Sequence, residues 1–206
     1  GKSPVIVFED ADLESATNGV LLSIFSASGQ SCVAGSRLLI ERSVFEQVTT
    51  RLARAAGQIH VGLPSDEATR MGPLQNRRQF EQVTRMIEVA EAQGARVLTG
   101  GKRPEGLPDD AQGYFIAPTV LVDVTPDMEV AQQEVFGPVL VAMAFDNEEE
   151  AIRLANDTRF GLAGAVWSQD VARAHRVAGQ LRAGTVWINS YKAISVMSPF
   201  GGFGDS

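Results

Sequence analysis

"PVLVAMAFDNEEEAIRLA" at residues 138–155 decides the fold class. Its first part, Val139–Phe145, is apolar at every position instead of alternating, the pattern of a strand buried on both faces. The run is too short for the ~20 residues that cross a bilayer. Asp146 followed by Glu149 then reads as an N-terminal cap for a helix carrying Ala151–Ala155. One buried strand followed at once by a helix is the repeating unit of a parallel sheet.

The same alternation extends in both directions. Strand-like runs occur at Pro4–Phe8, Arg37–Glu41, Ala95–Leu98, Thr119–Val122, Leu162–Trp167 and Thr185–Ile188. Between them, helical spacing appears at Leu13/Ala16/Val20/Ile24, Phe45/Val48/Leu52/Ala56/Ile59, Phe80/Val83/Ile87/Ala90 and Val171/Ala174/Ala178/Leu181. Ser43 with Glu46 offers a second cap. The expectation is a single α/β domain over residues 1–206, a three-layer α/β/α sandwich with a mostly parallel sheet and helices on both faces. "TGGKRPEGLPDDAQGY" at 99–114 reads as a surface loop, because the alternation resumes after it.

Hydrophobic residues make up 44% and charged residues 21%, as in ordinary folded chains. The net charge of −7 opposes binding to nucleic acid or an anionic membrane. One cysteine forms no internal disulfide, and no secretory leader pattern opens the sequence, so the expected setting is cytoplasmic. Two distant histidines and one cysteine give no zinc-type spacing, and neither a GxGxxG nor a P-loop stretch is present.

Chemistry is concentrated around Cys32, in "FSASGQSCVAGSRLLIE" at 25–41. Gly29 permits a tight backbone path, while Ser31, Ala34 and Gly35 leave room beside the sulfur. A thiolate attacking a carbonyl needs an oxyanion donor, and the Cys32 N–H is a candidate for part of it. His60 follows a helix and His175 stands on a solvated face, so neither is a convincing base for a cysteine hydrolase. A buried, structural Cys32 is the plainer alternative. Glu134, before a Phe-Gly-Pro turn in "QQEVFGPVL" at 132–140, is either a solvated turn residue or an acceptor for a ligand hydroxyl. "SPFGGFGDS" at 198–206 is compatible with a flexible tail.

Taken in order, "GKSPVIVFEDADL" at 1–13, "GQSCVAGSR" at 29–37, "EVFGPVL" at 134–140, "NDTRFGLAGAVW" at 156–167, "GTVWIN" at 184–189 and "PFGG" at 199–202 resemble the aldehyde dehydrogenase superfamily along the whole chain. The resemblance implies that Cys32 is the nucleophile, forming a thiohemiacetal and then a thioester. It implies that Glu134 holds the ribose of NAD or NADP and that Phe136 lies beside the nicotinamide. Ser31, Val33, Asn189, Ile194 and Phe200 match positions near the substrate entrance. The family's general-base glutamate precedes the position of Gly1, and its dinucleotide-binding domain also lies upstream. Its oligomerisation strand lies downstream of Ser206. The expectation is therefore a catalytic domain, inactive by itself as a dehydrogenase, of an enzyme that takes a small-molecule aldehyde and assembles as a dimer or tetramer. Two rivals stand beside it: a cysteine hydrolase or acyl-transferase complete in this chain, and a non-catalytic assembly module.

Overall fold

The structure, a computed structural model, describes residues 1–107 and 112–206. Its strands and helices follow in the order β1 (Pro4–Val7), α1 (Leu13–Phe25), β2 (Arg37–Glu41), α2 (Phe45–Gly57), α3 (Arg77–Ala92), β3 (Arg96–Thr99), β4 (Thr119–Val122) and α4 (Glu129–Gln132). Then come β5 (Val139–Phe145), α5 (Glu148–Asn156), β6 (Phe160–Gly161), β7 (Ala163–Trp167), α6 (Val171–Ala178), β8 (Thr185–Ile188) and β9 (Phe203–Gly204). Seven strands form one sheet in the order β3-β4-β5-β2-β1-β7-β8. Every neighbouring pair is parallel except β3 with β4, an antiparallel edge.

The sheet is buried on both sides, as uniform apolar runs require. On β1, Val5 and Val7 face a core that α1 and α2 complete with Ala16, Val20, Ile24, Val48, Leu52 and Ala56. Ile6 and Phe8 face the opposite core, which α3, α5 and α6 fill with Val83, Met86, Ile87, Leu154 and Val177. There Phe8 meets Phe145 edge to face at 5.3 Å between ring centroids. The three-layer architecture with a mostly parallel sheet matches the expectation.

Both capping assignments are corrected. Arg42–Val44 forms a tight 3₁₀ turn, so α2 begins after Val44 with no side-chain cap. Ser43 Oγ instead donates to Glu9 Oε2 at 2.8 Å. At α5 the cap is one residue later than expected. Asn147 accepts from the Glu150 N–H at 2.9 Å, while Asp146 pairs with Arg42 and the Glu150 carboxylate accepts the Asp146 N–H. The stripe proposed for α6 also shifts: Val171 is 67% exposed, Leu181 lies beyond the helix end, and Ala174 with Val177 supplies the buried face. The final segment is not a free tail, because β9 pairs with β6 through Phe160–Gly204 and Gly161–Phe203. Residues 108–111 of the proposed loop at 99–114 lie outside the described residues.

Arg37 begins β2 in an apolar setting, yet it is 1% exposed. Its guanidinium donates to the carbonyls of Lys2 at 2.9 Å, Leu154 at 2.9 Å and Ala155 at 2.7 Å. Two of these are last-turn carbonyls of α5, at the negative end of the helix dipole; the Leu154 carbonyl also accepts the Asp157 N–H at 3.3 Å. Burial pushes the Arg37 pKa down to about 10, opposed by the charge of Asp157.

Candidate active site

Strands β5, β2 and β1 are adjacent and parallel, so the segments entering them meet at one edge of the sheet although they are far apart in sequence. Gly1 enters β1, the Cys32 loop enters β2, and Glu134–Pro138 enters β5. A narrow crevice of about 10 Å³ at this edge is lined by Gly1, Gly29, Ser31, Ala34, Ser36 and Glu134–Gly137. A Cβ placed on Gly1 would stand 2.9 Å from the Cys32 carbonyl oxygen, so nothing larger than glycine passes there without a shift. Glu134 Oε1 accepts a hydrogen bond from the Gly1 nitrogen.

A short left-handed turn aims the cysteine. Helix α1 ends at Phe25, and Ala27, Ser28 and Gly29 then take φ of 53°, 54° and 71°. Left-handed backbone in the non-glycine residues carries strain of about 1–2 kcal/mol each, sustained by surrounding contacts. Ser28 Oγ donates to the Gly72 carbonyl at 2.9 Å, and the Gln30 carboxamide oxygen accepts from the Gln75 N–H at 3.1 Å. Gly29 abuts the Gly137 carbonyl so closely that a Cβ there would lie 2.1 Å from its oxygen. The thiol emerges exposed, and the Cys32 N–H donates to no group among the described residues.

The Glu134–Phe136 loop is held from α3. Gln79 donates its carboxamide N–H groups to the carbonyls of Val135 at 2.8 Å and Phe136 at 2.9 Å, fixing Phe136 in a left-handed conformation at φ 53°. Beside it runs an open groove of about 630 Å³ between this loop and Gln75, Asn76, Arg78, Gln79 and Gln82. Glu134 and Phe136 are both partly exposed on it, offering an acceptor carboxylate next to an aromatic face.

The remaining candidates are dispersed. Ser31 lines the crevice, whereas Val33 is 5% exposed and turns into the core shared with α1 and α2. Asn189 stands at the carboxyl end of β8, the opposite edge of the sheet, where its side chain accepts from Ser168 N at 3.1 Å and donates to Ser168 O at 2.9 Å. Ile194 and Phe200 are exposed on the segment after β8. His60 faces Asp66 at 3.5 Å with half its side chain exposed, and His175 is exposed on α6. Neither imidazole contacts Cys32. Exposure of the thiol also contradicts a buried, structural cysteine. No group of three metal-ligating side chains occurs among the described residues, and no helix there is long and apolar enough to cross a membrane.

Sequence reasoning missed Gln79, which reaches across 56 positions to Val135. It also missed Lys2 and Lys192. Lys2 is 1% exposed with its Nζ unpartnered; burial, with the Arg37 charge, pushes its pKa down to about 7 against the opposing pull of Glu134. Lys2 stands between Gly1 and Ser3, ahead of the apolar run that begins at Pro4, so residue type and pattern carried no signal for it.

The three-layer α/β/α domain thus sets an exposed thiol, whose own residue carries an N–H without an acceptor among the described residues, on a loop facing the carboxylate of Glu134 and the ring of Phe136. The model of the aldehyde dehydrogenase family matches residues 1–206, and the chain belongs to that family. It is 48% identical over 206 residues to the betaine aldehyde dehydrogenase of Brucella anthropi, covering 100% of this chain and 42% of that protein. It is 46% identical over 202 residues to the protein of the same name from Sinorhizobium fredii, covering 98% and 41%. Among solved structures, the betaine aldehyde dehydrogenase of Staphylococcus aureus in complex with NAD+ superposes with a TM-score of 0.96 at 41% identity, over 99% of this chain and 40% of that one. The NAD+ complex of an aldehyde dehydrogenase from Bacillus cereus gives 0.94 at 44% identity, over 99% and 40%. The chain thus spans about two-fifths of the length of these relatives.

Proposed function

We propose that this chain is the thiol-bearing catalytic domain of an NAD(P)-dependent aldehyde dehydrogenase, with Cys32 as nucleophile. The observation that carries the reading is the position of the one thiol, exposed on a loop that shares a crevice with Glu134 and Phe136. The Cys32 sulfur attacks the aldehyde carbon, and the carbonyl oxygen of the resulting thiohemiacetal receives the unpaired Cys32 N–H. Nicotinamide, when bound, supplies the acceptor for the hydride that leaves this carbon. The groove beside Glu134 fits that group: its carboxylate accepts from ribose hydroxyls, and Phe136 offers a face to the ring. Loss of hydride leaves a thioester on Cys32, and water releases the carboxylic acid.

The dinucleotide-binding domain and the general-base glutamate expected from the family resemblance belong to the rest of the enzyme in this reading, as do assembly into a dimer or tetramer and a cytoplasmic setting. The 206 residues by themselves are expected to acylate on Cys32 and to release the product slowly, with little NADH formation. Incubation of the native chain with an activated aryl ester, followed by intact mass, tests this. One acyl group on Cys32, absent in Cys32→Ser, supports the reading. Failure of the native thiol to acylate overturns it, and steady turnover dependent on His60 or His175 would establish the hydrolase instead.

A further inference from the structure

Beside the thiol stands a cation that this chemistry does not use. Tyr191 is 7% exposed and lies against Trp187 at 4.6 Å between ring centroids. Its hydroxyl donates at 2.8 Å to the carbonyl of Val33, the residue after Cys32. Trp187 Nε1 donates at 2.8 Å to the Ala193 carbonyl. Residues on both sides of Lys192 are thereby tied down, and Lys192 itself is turned into a left-handed conformation at φ 60°. Its partly buried ammonium donates to Ser26 Oγ and, at 3.3 Å, to the Leu22 carbonyl, both at the carboxyl end of α1 just before the turn that leads to Cys32. The carboxyl end of a helix favours a cation. No carboxylate lies within ion-pair distance of Lys192 among the described residues.

A fixed positive charge that lacks an acidic partner, and has one ammonium N–H direction left after two hydrogen bonds, attracts an anion approaching the thiol and repels a cation. Burial lowers the Lys192 pKa, and the anionic form of the Cys32 sulfur raises it, so the two groups lie within electrostatic reach of each other. We propose that Lys192 is a specificity-determining residue that selects aldehydes bearing a carboxylate or similar anionic group and disfavours those bearing a quaternary ammonium. The preference is opposite in charge to betaine aldehyde, after which the most similar relatives reported above are named. The inference rests on the reading of Cys32 as the nucleophile.

The single thiol makes the test direct. Native chain is treated with two methanethiosulfonates that differ in charge, the anionic sulfonatoethyl and the cationic trimethylammonioethyl reagents, and the rate of Cys32 modification is measured for each. Any change in the thiolate fraction affects both rates alike, so the ratio of anionic to cationic rate isolates charge selection. Lys192→Met is expected to lower that ratio about tenfold at low salt, because the one charge removed acts with opposite sign on the two reagents. Lys192→Arg is expected to keep it. Lys102→Met, which removes the same charge from the exposed pair with Glu105, is expected to leave it unchanged. A ratio within twofold of wild type in Lys192→Met, with both reagents still labelling Cys32, overturns the inference. Wild-type chain that neither reagent labels overturns the nucleophile reading beneath it. In the full-length enzyme, Lys192→Met should lower kcat/KM for an aldehyde with a terminal carboxylate more than for its uncharged analogue; an equal loss for both would also refute the proposal.

Discussion

Gly29→Ala probes the joint on which the site depends. Glycine here adopts φ +71°, and an added Cβ would lie 2.1 Å from the Gly137 oxygen, 2.3 Å from its carbonyl carbon and 2.7 Å from Pro138 N. All three are backbone atoms, so no side chain can swing aside; the Cys32 and Glu134 loops must part by about 1 Å to restore van der Waals contact at roughly 3 Å or beyond. The left-handed conformation adds about 1–2 kcal/mol for alanine and overpacking about 1–3 kcal/mol, giving a loss of about 2–5 kcal/mol. Urea unfolding with an unchanged slope would read this as a lower midpoint. On the proposed function, a displacement of this size between Cys32 and the Glu134 loop should lower kcat of the full-length enzyme by about 10²-fold. A loss of stability below about 0.5 kcal/mol would refute the reasoning, because it would show that the two loops do not abut.

Two further substitutions test the buried cations. Arg37→Met removes hydrogen bonds of 2.7–2.9 Å to three carbonyls, of which Leu154 keeps the Asp157 N–H, and is expected to lower stability by about 3 kcal/mol, a fall in Tm of about 6–12 °C; a fall below about 3 °C would refute it. Lys2 titrates at about 7 in the folded chain against 10.5 when unfolded, so between those values the unfolded state binds the extra proton. Its burial therefore weakens the fold most at and below neutral pH, and that penalty fades as pH rises toward 10.5. Lys2→Met should raise stability at pH 7 and flatten this rise, and denaturant midpoints that climb with pH as in the wild type would exclude the assignment.

The layers were legible because burial on both faces makes strands such as Val139–Phe145 apolar at every position, while the helices keep one stripe. Capping was misread where a 3₁₀ turn intervened after β2 and where Asn147, not Asp146, took the end of α5. Within the site, Cys32 and Glu134 stood out by residue type. The groups that hold them did not. Ala27 and Ser28 adopt left-handed backbone that their residue types do not announce, and Gln79 acts through a contact 56 positions away. Tyr191 and Lys192 sit on a segment without periodicity, where only the three-dimensional path brings them to Val33 and Ser26.

Topology accounts for where the site forms. Open α/β sheets usually bind ligands beyond the carboxyl ends of their strands. Here the crevice opens at the amino ends of β5, β2 and β1, because those adjacent parallel strands are entered by the Glu134 loop, the Cys32 loop and Gly1. Side chains at strand entrances are set by the conformation of the incoming loop, so the fixed points are the left-handed turn at Ala27–Gly29, the Gln79 clasp on Phe136 and the contact of Gly29 with Gly137. Asn189, which follows the carboxyl end of β8, falls outside this convergence, and its amide is used instead to join the turn at Ser168. A thiol placed this way depends on backbone fit between two loops, which makes Gly29, more than any other residue of the Cys32 loop besides the thiol itself, the position at which stability and the proposed chemistry should fail together.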